Sequence, residues 1–243
     1  MKKGGWFKLG VAITAAMLFS SCLKNNKDYT PGISSVSLIN AYTGSSSVDF
    51  YIGGSKVNTQ PLLYKQNTAY LQVYSGDVYL GIAKSGSNTA IISGAAPMYP
   101  GKAYSFFVSK GKGTSDKDTV AGFVVEDNLA APASGKAKIR FANFSPGTNE
   151  IDVYVQGTAD SLFGKKAFKT VSAFKEVEGG AKTFELRKTG ETEAKLVVPL
   201  TLEAGKIYTI TASGLWDAAE ESANKFTTIF TAHPVNEPTS MAK

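Results

Sequence analysis

The stretch NAYTGSSSVDFYIGG at residues 40–54 returns, little altered, as NFSPGTNEIDVYVQG at residues 143–157. Displaced by 103 positions, Val36, Leu38 and Asn40 meet Ile139, Phe141 and Asn143, and Val48-Asp49-Phe50-Tyr51-Ile52 meets Ile151-Asp152-Val153-Tyr154-Val155. At a displacement of 104, Tyr70, Val73 and Gly76 meet Phe174, Val177 and Gly180, and Gly101-Lys102-Ala103-Tyr104 meets Gly205-Lys206-Ile207-Tyr208. A shift held within one residue from Val36 to Tyr104 means that a whole domain is duplicated, because solenoid repeats have periods of only about 20–50 residues.

Each copy is a procession of short β-type runs. Val48, Phe50 and Ile52 alternate with Asp49, Tyr51 and Gly53, the period of two expected of a strand with one buried face. Comparable runs follow at 104–108, 120–125, 183–186, 195–202, 208–212 and 226–231, with Ser-Gly, Pro-Gly, Gly-Gly and Thr-Gly turn signals between them. No amphipathic helix stands out. The pattern predicts an all-β chain of two tandem immunoglobulin-like β-sandwich domains, at 34–128 and 137–243, joined by a linker at 129–136.

The N-terminus predicts export. MKKGGWFKLGVAITAAMLFSSC has a basic start, an apolar run from Leu9 to Phe19 and small residues before a cut, which marks residues 1–21 as a signal peptide. The apolar run is too short to span a bilayer, which takes about 20 helical residues. Cys22 is the sole cysteine, so no intramolecular disulfide forms. The run Leu18-Phe19-Ser20-Ser21-Cys22 resembles a bacterial lipobox, which implies a lipid on Cys22. Several acyl chains together would anchor stably, at about 0.8 kcal/mol per buried methylene. Residues 22–33 then read as the lipidated cysteine and a polar tether, and the protein is expected in the cell envelope, on the outer membrane of a Gram-negative bacterium.

The second copy, IRFANFSPGTNEIDVYVQG followed by F-x-x-V-x-x-G and AGKIYTITASG, resembles the DUF4397 family of secreted bacterial β-sandwich domains. The first copy is similar through VDFYIGG, Y-x-x-V-x-x-G and PGKAYSFFVS, with Thr43-Gly44 where the family prefers Ser-Pro. The resemblance implies fold, export and envelope attachment. It carries over no catalytic residue.

Charge and motif content narrow the chemistry. The formal net charge is +6, and removing Lys2, Lys3 and Lys8 with the leader leaves 23 bases against 20 acids, too even a balance to favour nucleic acid. His233 is the single histidine and has no counterpart in the first copy, and no G-x-S-x-G turn offers it a serine. Clusters of His and Cys for a transition metal are missing, Asp116 and Asp118 lack the further oxygens of a calcium loop, and no phosphate-binding glycine pattern occurs, so no cofactor or metal is implied. A hydrolase built on carboxylates or on Ser and Lys has no motif in its favour.

The recurring residues read as structural. Asn40 and Asn143 open matching turns, Asp49 and Asp152 sit on the outward parity of matching strands as ties for loop backbone, Tyr51 and Tyr154 follow them, and Gly101 and Gly205 suit turns with positive φ. Function is therefore sought where the copies differ. Eight of the 11 tyrosines lie between Tyr42 and Tyr104, in the first copy, and tyrosine offers a flat apolar face with a polar tip. The loop from Lys110 to Asp118 carries Lys110, Lys112 and Lys117, whereas the matching loop from Gly214 to Asn224 carries Trp216, Asp217, Glu220 and Glu221. Loops at the ends of sandwiches are common binding sites. Trp216, Tyr70 and Tyr74 are the expected ligand contacts, with Trp216 as an exposed anchor. These features together predict a non-catalytic binding, adhesion or scaffolding module at a membrane, with a glycan as the alternative ligand to a protein.

Overall fold

The β-branched and aromatic runs of both copies become strands, and the turn residues between them become the bends. The structure, a computed structural model, describes residues 32–110, 120–147 and 150–236. The signal peptide, Cys22 and the tether through Pro31, and the loop bearing Lys112, Asp116, Lys117 and Asp118, lie outside the described residues.

The first copy comprises β1 (Ile33–Ala41), β2 (Ser47–Ile52), β3 (Ser55–Lys56), β4 (Leu62–Leu63), β5 (Leu71–Tyr74), β6 (Gly76–Lys84), β7 (Ala90–Met98), β8 (Ala103–Lys110) and β9 (Val120–Asp127). The second comprises β10 (Lys136–Asn143), β11 (Glu150–Val155), β12 (Phe163–Ala167), β13 (Thr170–Val171), β14 (Lys175–Glu178), β15 (Gly180–Lys188), β16 (Leu196–Leu202), β17 (Ile207–Ser213) and β18 (Thr227–His233). In the first copy one sheet runs β5-β1-β8-β9 and the other β3-β2-β6-β7, with β4 also on β2. In the second the corresponding sheets run β13-β10-β17-β18, with β14 on β10, and β12-β11-β15-β16. All described elements are strands, so the all-β sandwich class holds. Each sandwich has one parallel pair, β1 with β8 and β10 with β17; every other pairing between named strands is antiparallel.

The chain passes from one sheet to the other without a loop. β5 ends one sheet at Tyr74 and β6 begins the other at Gly76, and β14 and β15 repeat the step at Gly180. Gly76 and Gly180 have φ of 128° and 108°, a conformation that a side chain would resist.

Each sandwich has its own core. Val36, Leu38, Phe50, Ile82, Phe106 and Val108 fill the first; Ile139, Phe141, Val153, Phe184, Leu186 and Ile210 fill the second. Each fully buried aliphatic or aromatic side chain of this kind contributes about 1.5–3 kcal/mol. A third cluster joins the copies: Ile39, Ala41 and Phe107 of the first pack against Ala142, Phe144 and Ile229 of the second, with Phe107 and Phe144 stacked at 4.9 Å. The described residues accordingly fall within one compact unit, Pro31–Lys243.

The exposed edges are blunted. β7 and β16 are the outer strands of their sheets, and they carry Pro97 and Pro199, paired with Asp77 and Thr183. Proline offers no N–H to an incoming strand, so neither edge invites addition of a strand at that point.

Candidate functional site

The repeated asparagines and aspartates hold the fold. Asn40 Oδ1 accepts from Tyr42 N at 3.1 Å and its Nδ2 donates to Leu62 O; Asn143 Oδ1 accepts from Ser145 N at 3.1 Å and its Nδ2 donates to Lys166 O. Asp49 and Asp152 occupy the outward parity of β2 and β11, but they are buried, because the following loop or strand folds over them. Asp49 accepts from Gly86 N and pairs with Lys56 Nζ at 2.9 Å. Burial alone would raise its carboxyl, but Lys56 and Gly86 outweigh that and hold it below the usual carboxylate range. Asp152 Oδ1 accepts from Lys165 N at 2.6 Å and from Thr189 Oγ1 at 2.8 Å. Asp152→Ala leaves a half-buried backbone N–H without this acceptor, and urea titration should read a loss of about 1–3 kcal/mol. Gly101 and Gly205 turn between strands with φ of 73° and 81°.

The interface between the copies carries a polar network. Arg140, 1% exposed, lies 2.6 Å through Nη1 from Asp127 Oδ1, donates through Nη2 to Ser105 Oγ and through Nε to Thr209 Oγ1, and stacks over Phe174. Ser105 Oγ and Tyr70 OH both donate to Asp127 Oδ2. His233 bridges Tyr70 OH through Nδ1 at 2.8 Å and Thr209 Oγ1 through Nε2 at 2.6 Å. The single proton of Tyr70 goes to Asp127, so Nδ1 of the imidazole bears the hydrogen and Nε2 accepts from Thr209. Burial, helped by the Arg140 charge, lowers the His233 pKa to about 3. Burial also pushes the Tyr70 phenol far up, and the Asp127 carboxylate adds to the effect. Both nitrogens of the enclosed imidazole are thus engaged by protein groups.

Two of the three expected ligand contacts are therefore corrected. Tyr70 belongs to the network, with its hydroxyl committed. Trp216 is only 8% exposed; its ring lies 4.5 Å from Phe226 and joins the second core. The loop after Gly214 folds back on itself, with Leu215 N donating to Asn224 O and Lys225 N to Ser222 O, and this turns the indole inward. Tyr74 is exposed, at 69%.

The open aromatic face lies elsewhere, on the outer side of the β2-β6-β7 sheet. Tyr51 on β2 pairs with Gly81 on β6, and Tyr79, two residues before Gly81, is 51% exposed. Beside the tyrosines, the small residues Gly81, Ala83 and Ala90 and the polar Asn88 and Ser93 line a cleft of about 190 Å³. Tyr79 OH lies 3.2 Å from Ser93 Oγ. A Cβ on Gly81 would sit 3.1 Å from Ser93 Cβ, so even alanine would crowd the cleft.

The second sandwich closes the same place. Glu185 and Arg187 occupy the positions of Gly81 and Ala83: Tyr154 pairs with Glu185 as Tyr51 does with Gly81, and Asp152 pairs with Arg187 as Asp49 does with Ala83. Arg187 and Glu185 form an ion pair, and the guanidinium sits over the Tyr154 ring at 4.3 Å from its centroid. That hydrogen bond from Arg187 holds the Glu185 carboxyl below its usual range against the opposing effect of desolvation. One tyrosine thus carries a guanidinium over its ring, whereas the half-buried Tyr51 has only small residues across the ladder. Reasoning from the sequence placed Tyr51 among structural residues and did not single out Tyr79; the signal was present in the small Gly81 and Ala83 facing charged partners in the repeat.

The geometry defines a double β-sandwich with a shallow aromatic cleft on its first half. Among the described residues, no group of three or more His, Cys, Asp or Glu side chains converges to hold a metal. The chain belongs to the DUF4397 family, a domain of unknown function, which it matches at residues 34–154 and 140–240. Among curated proteins no match is found. Among solved structures it is similar to CBMbc, a family CBM26 module of Eubacterium rectale Amy13K solved in complex with maltoheptaose, at 11% identity over 82% of this chain and 96% of that one, with a TM-score of 0.27. It is also similar to a chain from a structure titled for α-glucan binding by a streptococcal virulence factor, at 9% identity over 80% and 97%, with a TM-score of 0.26.

Proposed function

We propose that the protein is a non-catalytic binding module, lipid-anchored through Cys22 in the outer membrane of a Gram-negative cell, that takes its ligand on the Tyr51–Tyr79 face of the first sandwich. The observation that carries this reading is the contrast between copies: Gly81 and Ala83 set no charged side chain beside Tyr51, where Glu185 and Arg187 place an ion pair with its guanidinium over Tyr154. The charged pair of one copy is replaced in the other by small residues that line a cleft, a difference the shared fold does not require.

A glycan is favoured over a protein partner by the composition of the cleft. Two tyrosines line it together with the small residues Gly81, Ala83 and Ala90 and the polar Asn88 and Ser93. Flat aromatic faces suit the C–H face of a pyranose ring, and the polar groups suit its hydroxyls. A protein anchor would more usually seek a deep desolvated pocket.

The test is a soluble glycan panel followed by calorimetry on the chain from residue 22 onward. Binding should fall at least tenfold, about 1.4 kcal/mol, in Tyr79→Ala, and stay unchanged in Tyr154→Ala. Equal losses in both variants, or binding to protein partners with none to glycans, would reject the glycan assignment. Incorporation of labelled fatty acid that survives Cys22→Ala would reject the anchor.

A further inference from the structure

A second difference between the copies lies at the end of the first sandwich where the chain enters it. Ile33, Tyr74 and Tyr99 are 44%, 69% and 64% exposed. They are neighbours: Ile33 and Tyr74 are register partners, and Ile33 O accepts from Gly101 N at the turn that bears Tyr99. The cleft beside Tyr74 has a volume of about 600 Å³ and is lined in part by Ile52, Val57 and Leu71.

In the second sandwich the three equivalent positions hold Lys136, Glu178 and Glu203. The backbone matches closely. Lys136 and Glu178 are register partners, Glu203 N donates to Tyr208 OH as Tyr99 N does to Tyr104 OH, and Gly135 O accepts from Gly179 N as Gly32 O does from Ser75 N. The fold therefore accepts charge at all three places, and the apolar set of the first copy is not imposed by packing. Exposed apolar groups gathered in one place mark a contact surface.

We infer that Ile33, Tyr74 and Tyr99 form a docking surface for the bilayer, seating the first sandwich in the headgroup region. The inference rests on the proposed lipid at Cys22. Gly32 is the first described residue and lies beside the patch, with Pro100 against it. Only ten residue steps separate Cys22 from Gly32, at most about 35 Å in any conformation, so a lipid on Cys22 would hold this end of the sandwich near the headgroups. Tyrosine matches that layer, its ring buried among acyl ends and its hydroxyl left wet. A protein partner would have to displace a surface that the tether already presents.

The test couples the chain from residue 22 onward, through its single thiol, to a maleimide lipid in vesicles of phosphatidylethanolamine and phosphatidylglycerol, and reads side-chain exposure by hydroxyl-radical footprinting. Oxidation of Tyr74 and Tyr99 should fall several-fold relative to the uncoupled protein, while Val197 and Phe230, exposed on the second sandwich, stay constant. The variant Ile33→Lys/Tyr74→Glu/Tyr99→Glu, which installs the residues of the second copy, should abolish the accompanying protection of Leu71. Equal oxidation of Tyr74 and Tyr99 on and off vesicles would overturn the inference, as would a folded triple variant that keeps Leu71 protected. Coupling is chemical, so a failure to find natural acylation of Cys22 would count against the anchor alone, and the footprint would still report on the surface.

Discussion

Arg140→Leu is expected to lower the stability of the folded unit by about 3–5 kcal/mol, because it leaves the Asp127 carboxylate buried without its cation. Asp127 is enclosed by Ser105, Tyr70 and Arg140, and only Arg140 brings positive charge. The stacking on Phe174 and the hydrogen bonds to Ser105 and Thr209 are lost together with the ion pair. For a unit of this size, each kcal/mol moves the midpoint by roughly 2–4 °C, so calorimetry should read a drop of about 6–20 °C. The network crosses from one sandwich to the other, so the variant's unfolding transition is expected to be broader than that of the native chain. Arg140→Leu/Asp127→Leu should recover part of the loss, since removing both charges avoids the orphaned carboxylate. A loss of less than about 1 kcal/mol in Arg140→Leu would place the pair among weak surface contacts and contradict its burial.

That network also explains where reasoning from the sequence stopped. Strand alternation was legible because a period of two follows directly from one buried face, and it located both sandwich cores. In β8 and β17, however, both faces are buried: one meets its own core, and the other meets the neighbouring copy. Ser105, Thr209, Thr211 and Ser213 stand at parity positions that read as solvent-facing, yet they are buried. Only the pairing of the two sandwiches makes them interior, and no local pattern encodes it. Arg140 and Asp127 carry the same lesson: each reads as a surface charge in its own strand, and each is 5% exposed or less.

The candidate site was half legible. The repeat directed attention to differences between copies, and the excess of tyrosine directed it to the first copy. Trp216 misled because a lone tryptophan in a charged loop looks exposed, whereas the loop's own hydrogen bonds turn it into the core. Tyr51 was hidden by its own recurrence as Tyr154. What separates the two is the residue across the ladder, and a cross-strand neighbour becomes visible only when register is known.

The second large effect is in pH. His233 in the folded protein has its pKa lowered to about 3, whereas an imidazole in the unfolded chain titrates near 6.5. Between those values the unfolded chain takes up a proton that the native state refuses, so stability rises with pH through the window and falls as pH drops through it. The contribution is complete above about pH 6.5 and lost at about 1.4 kcal/mol per pH unit towards pH 3. Protonation cannot be absorbed by small adjustments. Nε2 would become a donor facing Thr209 Oγ1, which already receives Arg140 Nε, and a second cation would lie near the Arg140 guanidinium in an enclosed space. Urea unfolding of the native chain should therefore lose on the order of 3 kcal/mol between pH 7.5 and 4.5 beyond whatever His233→Gln loses over the same range. The Gln variant starts from a lower stability but lacks the titrating group, so the difference between the two curves isolates the imidazole from Asp49 and the other carboxylates, which titrate in both proteins. Parallel curves would mean that His233 binds its proton as readily folded as unfolded, and the neutral bridge between Tyr70 and Thr209 would have to be abandoned.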